Sequence, residues 1–185
     1  EPIQGNGGII TPPPGYFAVL RDILNKYKVL LIIDEVQTGF GRTGAMFAVD
    51  HWKIEPDIMT MAKALANGTP IGAVITNERI ASSYTRPGAS TTGGNPVSAT
   101  AALATIEVIE KYQLAQKAKD LGDYFKDTLT MLRQKYKLIG DVRGKGLMLG
   151  VELVKQDKVP AAEETDYILE ELKDRGILAG KTGIA

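Results

Sequence analysis

Two ionisable side chains stand at the ends of two short apolar runs. Val29-Leu30-Leu31-Ile32-Ile33 leads into Asp34-Glu35, and Asp57-Ile58-Met59-Thr60-Met61-Ala62 leads into Lys63. A run of apolar residues bounded by polar ones reads as a buried strand of a parallel sheet. Open parallel sheets bind ligands beyond the carboxyl ends of their strands, where Asp34 and Lys63 would both lie. A buried acid and a buried lysine facing one crevice is a costly arrangement unless something ligates them both. Out of context, the bland readings are a solvated surface lysine and an aspartate that caps a turn.

Pyridoxal phosphate is the most economical ligand for such a pair. Its aldehyde forms a Schiff base with a lysine, and its ring nitrogen needs an acidic partner to stay protonated. The neighbouring residues carry a resemblance that agrees. Asp34-Glu35-Val36-Gln37-Thr38-Gly39-Phe40-Gly41-Arg42-Thr43-Gly44, followed by Met61-Ala62-Lys63-Ala64-Leu65-Ala66-Asn67-Gly68, resembles the class III, fold-type I aminotransferases. Glu1-Pro2-Ile3-Gln4-Gly5, Thr91-Thr92-Gly93-Gly94-Asn95-Pro96 and Gly140-Asp141-Val142-Arg143-Gly144-Lys145-Gly146-Leu147-Met148 extend the likeness over nearly the whole chain.

The resemblance implies roles for particular residues. Lys63 would hold the cofactor and, once displaced by the substrate amine, move a proton. Asp34 would pair with the ring nitrogen. Gln37 would hydrogen-bond the ring hydroxyl, Val36 would pack on a ring face, and Glu35 would only orient the loop. Thr91 would donate to the cofactor phosphate of a neighbouring subunit, so the enzyme would be a homodimer or tetramer with a shared site. The family often has an aromatic residue where this chain has Thr92. Members acting on 4-aminobutyrate or ornithine usually carry Glu where this chain has Asn6. That departure points to an alanine-like donor with glyoxylate or pyruvate as acceptor, and the 4-aminobutyrate/ornithine type is the alternative. The carboxylate-binding arginine would lie beyond Ala185.

The bulk numbers agree with a cytoplasmic enzyme acting on small molecules. The 185 residues carry zero formal net charge, which argues against nucleic acid and against an anionic membrane surface. No apolar run approaches the ~18 residues of a membrane helix. There is no cysteine and a single histidine, His51, so a metal site is not expected and His51 reads as a helix-surface or capping residue. The chain opens on Glu1 inside a signature. It reads as a fragment of a longer protein, one that would be inactive by itself if the missing half is needed.

The elements that must position these residues follow from periodicity and breakers. Phe17, Leu20, Ile23, Leu24 and Tyr27 predict a helix from Tyr16. The strands expected are Val29–Ile33, Ile58–Met61, Ile71–Thr76 and Leu147–Val154, with a short helical turn over Phe47–Trp52. A short capped helix is expected within Asn77–Ser83. A long helix should start at Pro96 and run to Tyr112, another should cover Gln113–Tyr136, and a third should run from Pro160 to Arg175, stopping at Gly176. Arg143, set among glycines, reads as a structural turn residue. The fold class expected is α/β: residues 1–112 as the carboxyl-side part of a mainly parallel, cofactor-binding large domain, and 113–185 as the start of a small α+β carboxyl-terminal domain.

Two other nucleotide-type readings fail on order and spacing. Gly39-Phe40-Gly41-Arg42-Thr43-Gly44 is literally G-x-G-x-x-G, but it neither begins at the strand end nor opens a long helix. The Val29–Glu35 run imitates an ATPase strand. However, the nearest phosphate-loop candidate, Gly176–Thr182, has one spacer too few and follows the acidic strand.

Overall fold

The computed structural model describes residues 1–183. Helix α1 spans Tyr16–Tyr27 and buries Phe17 against Leu31, Ile33 and Val49, with Leu20 and Leu24 closing that cluster. Ile23 and Tyr27, expected on the same face, are exposed. The stripe that meets the sheet is narrower than the periodicity suggested.

Strand β1 is Ile32–Asp34, shorter and later than the Val29–Ile33 run. Leu31 and Ile33 are buried beneath α1, whereas Val29, Leu30 and Ile32 are exposed. The expected strand buried on both faces is therefore corrected to one with a single covered face among the described residues. Successive strand side chains point to opposite faces, and only one of those faces carries a helix.

Strand β2, Ile58–Met61, lies beside β1 and parallel to it, with Asp34 level with Thr60. Strand β3, Ala73–Thr76, pairs with β2 antiparallel, Met61 opposite Ala73. The sheet expected to be mainly parallel thus holds one parallel and one antiparallel pairing among the described residues. A parallel return needs a crossover of a dozen or more residues, usually helical, and the β2–β3 connection holds only a 3-10 turn at Lys63–Ala66.

Helix α2, Glu78–Ala81, is capped by the Asn77 side chain, which accepts from the Ile80 N–H. Helix α3, Pro96–Lys111, begins as expected with Pro at its start and Asn95 accepting from the Ser98 N–H. It packs Ala102 and Ile109 onto Phe40, Met61, Leu65 and Ala66. Helix α4, Leu114–Lys135, follows after a break at Gln113, whose φ is 50°.

Strand β4, Ile139–Lys145, was not foreseen; it forms an antiparallel hairpin with β5, Met148–Leu153. Arg143 is therefore a mid-strand residue, not a turn residue. A segment with Gly140 and Gly144 in seven residues reads as loop when its partner strand is unknown. Helix α5, Ala162–Asp174, ends before Gly176 as predicted. The chain is thus mixed α/β, with a partial sheet of three strands and a separate two-stranded hairpin packed against α4.

Candidate active site

Lys63 reaches its position through the residues on either side of it. Met61 ends β2 in the core, and Leu65 and Ala66 are buried beneath α3. The backbone must turn sharply between those anchors, and Lys63 absorbs the turn with φ at 45°. Non-glycine residues in that region are uncommon and persist where the surroundings over-determine them.

Asp34 stands at the carboxyl end of β1, across the parallel pair from Thr60 and three residues short of Lys63 in the neighbouring strand's numbering. The Glu35 N–H donates to the Thr60 carbonyl at 2.9 Å and carries the pairing one step further. Both functional candidates therefore leave the sheet at the same edge.

A cleft of about 600 Å³ opens there. Lys63, Val36, Gln37 and Arg42 are among the residues that line it, together with Ile9 and Leu147. The expectation that Asp34 and Lys63 both face it from buried positions needs correcting in two respects. Lys63 is exposed, because its turn sits at the cleft mouth. Asp34 is half-buried and does not form the lining; its Oδ1 turns back to accept from the Val36 N–H at 2.9 Å. Val36 and Gln37 line the cleft.

Gln37 comes close to the first signature: a Cβ on Gly5 would fall 2.7 Å from Gln37 Oε1, so a side chain there would push the Gln37 amide aside. Glu35 is fully buried and braces the loop, as expected. Its carboxylate accepts from the Thr38 hydroxyl, from the Ala48 N–H at 3.0 Å and from the Val49 N–H at 2.8 Å. Burial pushes its carboxyl up from the ordinary range, and these hydrogen bonds pull the other way.

His51 lies in the 3-10 turn Ala48–Trp52, half-buried rather than on a free helix surface. Its Nε2 donates to the Thr43 carbonyl at 3.0 Å and lies 3.2 Å from Thr43 Oγ1. Burial holds its pKa below the ordinary value, and the Lys145 cation adds to that. No group of metal-ligating side chains occurs among the described residues.

Thr91 and Asn6 are not brought to the cleft lining. Thr91 is exposed on the loop before α3, and Asn6 is exposed on the loop that presents Ile9. The lining also contains residues that sequence reasoning passed over. Arg42 is a second cation in the cleft lining, and among the described residues no carboxylate lines it. Leu147, Met148 and Leu149 come from the far end of the chain. The Leu147 N–H donates to the Arg42 carbonyl at 3.0 Å, a pairing that no local pattern announces.

The family model for class-III aminotransferases matches residues 1–185. The chain belongs to this family. It is 49% identical to alanine–glyoxylate aminotransferase 2 homolog 2, mitochondrial, from Arabidopsis thaliana, over 99% of this chain and 39% of that protein. It is 45% identical to a leucine/methionine racemase from Thermococcus litoralis, over 96% of this chain and 41% of that protein. The crystal structure of the ornithine aminotransferase from Toxoplasma gondii superposes with a TM-score of 0.91 at 37% identity, over 99% of this chain and 43% of that one. The chain thus spans about two fifths of the length of these relatives. The family's cofactor is pyridoxal phosphate, and another structure of the Toxoplasma enzyme carries it at partial occupancy in the active site. The residues present fit that group in kind: an accessible primary amine and an amide side chain in the cleft lining, and a carboxylate at the adjoining strand end.

Proposed function

We propose that this chain forms the catalytic part of an aminotransferase that moves an amino group from an amino acid to a 2-oxo acid by a ping-pong route. The observation that carries the reading is the parallel β1–β2 pair, which delivers Asp34 and Lys63 to one sheet edge beside the cleft. Bound there, pyridoxal phosphate supplies an electron sink for the carbon that bears the amino group. Lys63 Nζ is the amine that would hold the cofactor covalently and, when free, would carry the proton. The Asp34 carboxylate would keep a proton on the ring nitrogen, Gln37 would donate to the ring hydroxyl, and Val36 would pack against the ring. Arg42 and Lys63, with no acid in the lining among the described residues, suit substrates that carry a carboxylate.

An alanine-like donor with glyoxylate or pyruvate as acceptor is the substrate pair we favour, because Asn6 cannot make the ion pair that a glutamate would. The Arabidopsis relative's name supports that pair, while the Toxoplasma neighbour's name supports the ω-amino alternative. The racemase relative supports a second reading in which the same proton is returned to the opposite face of the carbon. The working enzyme is a cytoplasmic homodimer or tetramer in which Thr91, exposed in a single chain, serves the neighbouring subunit's phosphate. Residues 1–112 belong to the large domain and 113–185 to the small one.

The test is borohydride reduction of the longest natural chain carrying these residues after incubation with pyridoxal phosphate, followed by peptide mass mapping. A phosphopyridoxyl adduct on Lys63 is expected. An adduct only elsewhere, on a folded sample, would overturn the assignment. Single-turnover assays with D- and L-alanine and glyoxylate then separate transamination from racemisation.

A further inference from the structure

One face of the β4–β5 hairpin holds a loop of the cleft. Along the ladder Asp141 pairs with Glu152, and Arg143 pairs with Gly150. Directly opposed residues share a face of the sheet, and like charges so placed oppose pairing. Arg143 relieves that conflict between Asp141 and Glu152. Its Nη1 donates to the Glu152 carboxylate at 2.5 Å and to Asp141 at 3.1 Å.

With that end of the guanidinium fixed, Arg143 Nε reaches off the hairpin and donates to the Gly8 carbonyl at 2.6 Å. Beside it, Gly150 leaves a gap. A Cβ there would come within 3.1 Å of Ile9 Cβ. Gly8 and Ile9 therefore seat on the Arg143–Gly150 pair. Ile9 is a β-branched residue at φ 58°, a conformation that its surroundings must impose. It lines the same cleft as Lys63. The loop carrying it, and carrying Asn6, is closed at its base by two backbone hydrogen bonds between Gln4 and Ile10 at 3.0 and 3.1 Å.

We infer that Arg143 is a positioning residue for the substrate side of the cleft: from the hairpin it sets the Asn6–Ile9 loop and the wall that Ile9 presents to the substrate. This deepens the aminotransferase reading and rests on it. Arg143, which does not itself line the cleft, thereby takes part in donor selection through the Asn6–Ile9 loop.

The test compares the natural full-length chain with Arg143→Met and with the Asp141→Asn/Arg143→Met pair. Methionine keeps an apolar stem and removes every donor, and the paired variant also removes the opposed like charges, so the hairpin is not left in conflict. Amide exchange of residues 5–10 is expected to rise about tenfold in the paired variant while β4 and β5 keep their protection. The donor KM is expected to rise about 5–20-fold with kcat and cofactor absorbance nearly unchanged, the signature of lost ground-state positioning. Unchanged loop exchange in the paired variant would overturn the inference, and so would a faster loop with an unchanged donor KM. Exchange needs no substrate. Failure of the aminotransferase reading would therefore show separately, as absent wild-type turnover with the exchange difference intact.

Discussion

Gly146 rests directly on the backbone of Thr43. A Cβ on Gly146 would fall 2.4 Å from the Thr43 carbonyl carbon and 2.6 Å from the Gly44 nitrogen, and its φ is 53°. The tip of the β4–β5 hairpin thus docks on the loop that follows the Asp34 signature, and brings Leu147 into the cleft. Gly146→Ala adds a methyl group against backbone atoms that cannot rotate away. It should destabilise the protein by ~1–3 kcal/mol, the usual range for overpacking. A thermal melt checks this, and an unchanged melting temperature would mean that the hairpin tip is free to move off the loop.

Glu35 should matter for folding and not for the chemical step. Glu35→Ala strands the Thr38 hydroxyl and the N–H groups of Ala48 and Val49 in a buried site. Leaving buried donors unpaired costs about 1–3 kcal/mol each, so a total loss of at least about 3 kcal/mol is expected. Urea unfolding measures it. The cofactor adduct on Lys63 should still form at temperatures where the variant remains folded, and loss of the adduct under those conditions would give Glu35 a direct role.

His51 should make stability depend on pH in one direction. Its native pKa is depressed, chiefly by burial. Below about 6.5, the ordinary value, the unfolded chain takes up a proton that the native chain resists. Stability from this residue is therefore present above that pH, is lost as pH falls from it towards the depressed value, and changes no further below both. His51→Gln should flatten the slope in urea midpoints measured between pH 5 and pH 8. Parallel slopes in the two proteins would refute the role.

The two residues at the sheet edge should fail in different ways. On the proposed assignment, Lys63→Ala should abolish turnover while leaving some cofactor binding, since it would remove both the covalent link and the proton carrier. Asp34→Ala should lower kcat by roughly 10²–10³, the range for removing one group that stabilises developing charge, with the Lys63 adduct still formed. Rapid-scan absorbance of the half-reaction distinguishes the two. A near-normal rate for Asp34→Ala would mean that another group serves the ring nitrogen.

The sequence by itself determined the family, the cofactor chemistry and most of the elements. Those features are local: the apolar run with Lys63 at its end, Pro96 after the capping Asn95, the stripe on α1, and the loop motif from Asp34 to Gly44. The tertiary structure decided what depends on contacts between distant segments. It made β3 antiparallel, turned Asp34 towards Val36 and out of the cleft lining, and left Lys63 exposed on a strained turn. It also turned the glycine-rich stretch around Arg143 into a strand, whose guanidinium bonds Gly8 from the other end of the chain. Periodicity and capping act over a few residues and can be read in order. Pairing partners, close glycine contacts and the cation that bridges two carboxylates exist only once remote segments meet, and no local pattern encodes which ones will.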